Sequence, residues 1–204
     1  SEAQTVSLAD YLGRMQEGQT SIYYLTGDSF AAVKNSPHLE VFRRKGIEVL
    51  LLSERVDEWL MAHLTEHDGK PFQSVAKGAL DLDASESEEE KAEREKVETA
   101  LEPLIKRVQE ALGDRVKEVR VSHRLTDSPA CLVVDEAAMS QNLERMLRQA
   151  GQDVPMSKPI LELNPEHAIV QRLDSEQDGS RFEDWSAILF EQAVLAEGGQ
   201  LEDP

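Results

Sequence analysis

The sequence predicts an α/β fold followed by an α+β fold, and three observations carry that reading. Short apolar runs at 21-SIYYL-25, 47-IEVLLL-52 and 72-FQSV-75 alternate with helical patterns, and strands separated by helices pair in parallel with both faces covered. The stretch 83-DASESEEEKAEREK-96 then carries no apolar residue but alanine. Beyond it a long helical period opens a region in which strands and helices no longer alternate regularly. Residues 1–82 are therefore expected to form a small three-layer α/β/α domain, 83–96 an acidic linker or helix start, and 97–204 an α+β domain entered through a long connecting helix.

Each element has a local reason. Ser7 and Asp10 stand at capping-box spacing, and Leu8, Tyr11, Leu12 and Met15 follow at helical spacing until Gly18. The strand 21–25 runs into 26-TGDS-29, a turn and helix start. Two helical pieces, 28–35 and 37–45, are divided at 36-SP-37, because a residue before proline resists the α region while proline suits the first helical turn. Gly46 stops the second piece, and 47–52 reads as a buried strand. Val56, Trp59, Leu60, His63 and Leu64 then share one helix face, and 72–75 follows the turn 68-DGKP-71 as a third strand.

In the second region Leu101, Leu104, Ile105, Val108 and Leu112 continue a helix in which Pro103 marks a bend or the true first turn. The runs 116-VKEVRV-121, 131-CLVV-134 and 160-ILEL-163 read as strands, with helices near 165–173 and 182–197. The last helix carries Phe182, Trp185, Ile188, Leu189, Phe190, Ala193, Val194 and Leu195. That is too many for one core-facing stripe, so a second partner is expected for it. In 139-MSQNLERMLRQAG-151, Met139, Leu143, Met146, Leu147 and Ala150 gather within about 100° of arc. By pattern alone this is a core face or an adhesive surface.

Composition narrows the function. Forty acidic residues against 22 basic give a net charge of -18, which disfavours nucleic acid and anionic membrane as partners. No apolar run approaches the roughly 18 residues of a membrane span. The single cysteine, Cys131, forbids an intrachain disulfide, reads as a buried thiol, and fits a reducing, cytoplasmic setting. The first residue is serine, and the chain reads as a piece of a longer protein.

Three stretches resemble chemistry. In 63-HLTEH-67 two histidines at i and i+4 with an intervening glutamate match a zinc-peptidase pattern, with His63 and His67 as ligands and Glu66 as base. The pattern lacks an evident third ligand, and His67 directly precedes a helix-ending Asp-Gly. The run 174-DSEQDGSRFEDW-185 resembles a calcium loop, but Trp185 stands where the bidentate glutamate belongs, so a polar turn is expected. After its strand, 26-TGDS-29 lacks the glycines and lysine of a phosphate loop. No catalytic constellation emerges.

The set 7-SLADYLGRM-15, 21-SIYYLTGDS-29, 35-NSPHLEVFRRKGIEVLLL-52, 57-DEW-59, 69-GKPFQSV-75, 123-HRLTDSPA-130, 162-ELNPEHAIV-170 and 191-EQAVLAEGGQLEDP-204 resembles the ninety-kilodalton heat-shock chaperone family in its bacterial form. The resemblance covers nearly the whole chain in register and is weakest at 83–98. It implies that residues 1–82 end the family's middle domain and that 97–204 form most of its C-terminal dimerisation domain. The ATP and magnesium site of the full-length family member would lie upstream, so no cofactor and no catalytic residue are expected here.

The resemblance also implies site residues. Client proteins, unfolded or partly folded, would meet Met139, Leu143, Met146 and Leu147 on the amphipathic helix, and Glu58 and Trp59 on the other side. Flexible methionine suits adaptable surfaces. Homodimerisation would use Trp185, Ile188, Leu189 and Gln192. Family members continue into a further helix after the position of 201-LEDP-204, so a weakened dimer is expected of this chain. Two rival readings are a zinc-dependent hydrolase at 63–67 and a pure oligomerisation module without client contact.

Overall fold

A computed structural model describes residues 6–80, 88–154 and 157–201. Part of the acidic run, 83–87, and the end of the last quoted stretch, 202–204, lie outside the described residues. Helix α1 (Leu8–Leu12) begins with the predicted capping box: Ser7 Oγ accepts from the Asp10 N–H at 3.1 Å and Asp10 Oδ2 accepts from the Ser7 N–H at 3.0 Å. Strand β1 (Ile22–Thr26) leads through Ser29, which caps α2 (Phe30–Lys34) by accepting the Ala32 N–H. A 3-10 turn at Pro37–Leu39 and α3 (Glu40–Lys45) follow, ended by Gly46 at φ 67°, a left-handed position that glycine adopts without a Cβ penalty.

The first sheet then closes with β2 (Leu50–Leu52), α4 (Arg55–His63), β3 (Glu66–His67) and β4 (Lys70–Ser74). Its order is β2-β1-β4-β3, with β1 parallel to both neighbours. The hairpin of β3 and β4 turns at Asp68 and Gly69, both with positive φ, the backbone that a two-residue hairpin turn needs. The run 47–52 differs from its expectation. Only Leu50–Leu52 is strand, and it is half-buried along its length, because it is the edge of the sheet with β1 as its neighbour on one side. Tyr23, Leu25, Val33, Leu39, Val41, Phe42 and Val75 form the core here.

The second sheet belongs to the later residues. Helix α5 (Glu88–Leu112) precedes a 3-10 turn and β5 (Glu118–Val121), and β6 (Ala130–Val133), α6 (Gln141–Gln149), β7 (Ile160–Leu163), α7 (Ala168–Asp174) and α8 (Gly179–Ala196) complete it. Pro103 lies inside α5 instead of opening it. Proline forfeits one backbone bond there, and the packing of Leu104, Val108 and Leu112 against the sheet holds the helix through that loss. Strand β7 is central, parallel to β5 and antiparallel to β6, and every residue of β6 and β7 is buried. Helices α5 and α8 cover this sheet with Leu104, Val108, Phe182, Leu189, Phe190 and Ala193.

Candidate functional site

Helix α4 is turned inside out relative to its sequence pattern. Val56, Trp59 and Leu60 are 65%, 47% and 49% exposed, while Glu58 is the one buried residue of the helix, at 6%. A carboxylate leaves water only with partners, and Glu58 has them on the other half of the chain. Ser140 Oγ–H donates to its Oε2 at 2.7 Å and Asn142 Nδ2–H donates to its Oε1 at 2.9 Å. Of the residues expected at 58–59, Glu58 is thus joined to the 139–147 stretch across a sequence separation of 82 residues, through Ser140 and Asn142.

Ser140 also caps α6, accepting the Leu143 N–H at 3.1 Å. Along the predicted stripe, Met139 is exposed, Leu143 is buried, and Met146 and Leu147 are half-buried. The polar side of α6 is anchored as well. Arg145 donates to Asp28, to the Gly198 carbonyl at 2.8 Å and to Asn142 Oδ1 at 2.9 Å. Glu144 is buried; one oxygen accepts the Ser157 N–H at 3.3 Å and the other has no hydrogen-bond partner among the described residues. Lys77 donates to the Ala138 carbonyl at 2.6 Å. Burial pulls the Lys77 pKa below the usual lysine value, against the opposing pull of Glu58 and Glu144.

Helix α8 carries two stripes. Phe182, Ser186, Leu189, Phe190 and Ala193 face inward, and Trp185, Ile188 and Leu195 are exposed at 38%, 48% and 54%. Gln192 joins the exposed side. Leu189, expected beside Trp185 at an interface, instead lies in the chain's own core at 1% exposure, because it falls on the side of α8 that carries Phe182, Ser186 and Ala193 at helical spacing.

The histidine stretch does not form a helical pair. His63 ends α4, whereas Glu66 and His67 form β3, so the i and i+4 geometry that a zinc-peptidase helix requires is absent. Among the described residues no cluster of three metal-ligating side chains occurs. Asp178 caps α8 by accepting the Arg181 N–H, and Gly179 through Trp185 are helical, which leaves a polar turn where a calcium loop was weighed. Cys131 is fully buried, with its pKa raised well above the usual thiol value chiefly by that burial, as a structural thiol should be.

One polar cluster was not read from the sequence. Arg124 is 3% exposed and spans the two halves. It donates to Glu162 Oε2 at 2.8 Å, to the Gly78 carbonyl at 2.8 Å and to the Val75 carbonyl. Glu162 also accepts from Arg120 at 2.8 Å and from Ser122 at 3.0 Å. Nearby, Glu40 accepts the N–H groups of Thr126, Asp127 and Ser128. His38, fully buried, places Nε2 2.9 Å from Glu197 Oε1 without hydrogen-bond alignment. The available signal was the lone glutamate in 160-ILEL-163, a charge in a strand otherwise apolar on both faces.

Comparison with known proteins agrees with the quoted stretches. Residues 1–204 match the family described as Hsp90 protein. The chain is 63% identical over 201 residues, 98% of its length, to Chaperone protein HtpG of Dechloromonas aromatica, and equally so to that of Nitrosococcus oceani. It is 57% identical over its whole length to Chaperone protein HtpG of Methylococcus capsulatus. It spans 31% to 32% of the length of these relatives. Among the described residues no helix is long and apolar enough to cross a membrane. A match that runs end to end at this identity makes the chain a member of the Hsp90 protein family.

Proposed function

We propose that this chain supplies client-binding and dimerisation surface to an ATP-dependent heat-shock chaperone, with residues 1–82 as the end of its middle domain and 97–204 as its C-terminal domain. The observation that carries the reading is α4, which turns Val56, Trp59 and Leu60 to solvent while its Glu58 holds the cap and first turn of the amphipathic α6. Exposed apolar residues grouped in this way mark interaction sites. Their partner is an unfolded or partly folded chain in the cytoplasm, whose apolar segments meet Trp59, Leu60 and Met139. The chain's net charge of -18 disfavours nucleic acid or anionic membrane as partners. Nucleotide binding and hydrolysis belong to regions of the chaperone outside this chain, which is expected to turn over no ATP.

The exposed stripe of α8 supports homodimerisation through Trp185, Ile188 and Gln192. Titration of a reduced, alkylated and permanently unfolded protein tests the client reading. Trp59→Ala with Met139→Ser is expected to weaken binding about tenfold, as loss of a central aromatic anchor does. Equal affinity in the double variant would leave the rival oligomerisation reading in its place. Sedimentation of wild type and Trp185→Glu reads the dimer independently.

A further inference from the structure

Glu58 cannot meet a client in this structure, because it is 6% exposed and both of its carboxylate oxygens are taken by α6 and its cap. We propose that Glu58 is a positioning residue that seats helix α6 against the first sheet and thereby governs how much of the Leu143, Met146 and Leu147 face is presented. The proposal rests on the reading that α6 binds clients, and it assigns the regulation of that surface.

Four features argue for a seat that can be released instead of a permanent core contact. The attachment is polar. Only Leu143 of the apolar stripe is buried, while Met146 and Leu147 stop halfway. Glu144 is buried with one oxygen unpartnered among the described residues, a cost that opening relieves. Arg145, which closes the other side of the seat, pairs with an Asp28 that is more than half exposed, and pairs of that kind are weakened by salt. Tyr24 and Lys77 complete the surroundings of Glu58. Each feels its charge, while the hydrogen bonds to the carboxylate come from Ser140 and Asn142 at the start of α6.

Hydrogen exchange of the full chain tests this. Glu58→Ala is expected to speed exchange of the α6 amides roughly tenfold or more, the loss due when a charged hydrogen-bond acceptor goes, while β7 amides remain protected. Asn142→Ala serves as a second variant from the other side of the contact. Ser140 is avoided because it also caps α6. Adding Asn142→Ala to Glu58→Ala should increase exchange by less than the two single effects combined, and Glu58→Gln, which still accepts at one oxygen, should fall between wild type and Glu58→Ala. Binding of the reduced, alkylated protein should rise severalfold in Glu58→Ala as the apolar face is freed. Unchanged α6 exchange in Glu58→Ala, or fully additive effects, overturns the proposal. Faster exchange with unchanged client affinity keeps the seat and removes the client role of α6, so the two failures are distinct.

Discussion

Two of the polar contacts that join the halves of this molecule are built differently. At the first, Arg124 and Glu162 are 3% and 4% exposed and nearly every polar atom is matched, with Arg120, Ser122 and the carbonyls of Val75 and Gly78 completing the set. At the second, Glu58 holds α6, but Glu144 nearby keeps an unpartnered oxygen and Arg145 reaches an exposed aspartate. Buried charge that is fully satisfied resists separation, because removing one partner strands the other. The Arg145–Asp28 pair is half wet and separates at little cost, which leaves the buried Glu58 as the anchor of the second contact. The first contact is thus a fixed joint and the second a seat.

The contrast can be broken most sharply at Arg124. Arg124→Ala leaves Glu162 buried with fewer partners and is expected to cost about 3–5 kcal/mol in denaturant unfolding; a loss no larger than that of a surface residue would end the distinction. Acid is the next lever. Glu162 is desolvated, yet Arg124 and Arg120 hold its carboxyl below the usual value of 4.5. A depressed carboxyl contributes stability that is present above the unfolded value and fades as pH falls through it. Thermal unfolding should therefore be steady from about pH 7 to 5.5 and fall below about 4.5, with a shallower fall in Glu162→Gln.

Smaller effects belong to the seat. Arg145→Ala should change global stability by no more than about 1 kcal/mol, the scale of an exposed ion pair. It should also loosen α6 in hydrogen exchange, and wild type in high salt should behave alike. Smallest of all, Trp59→Ala is expected to alter stability by about 0.5 kcal/mol or less, since the ring is half exposed. Its effect should fall on binding alone, and a loss of several kcal/mol would mean that the ring supports the fold.

Much of the fold was legible because its signals are local. The capping box at Ser7, the cap at Ser29, the stop at Gly46 and the central strands are set by residues within a few positions of each other. The stretch 63–67 misled for the same reason: its spacing fits a helix, but the Asp68-Gly69 turn and pairing with β4 draw Glu66 and His67 into a hairpin. Helix α4 misled more deeply. Val56, Trp59 and Leu60 have the spacing of a core stripe, and nothing local foretells that a glutamate would be the buried member.

By itself the sequence determined where most helices and the central strands lie, that the strands of the first sheet pair chiefly in parallel, and which faces are apolar. Only the tertiary structure decided what those faces meet. Amphipathicity states that one side of a helix prefers to leave water, yet it names no partner. Whether Leu189 turns inward while Trp185 turns outward depends on where α8 lies on its sheet. Whether Glu58 is wet or buried depends on Ser140 and Asn142, more than 80 residues away. Those pairings are made by the folded chain as a whole, because the desolvation of a charge is settled by every group that surrounds it and not by its neighbours in sequence.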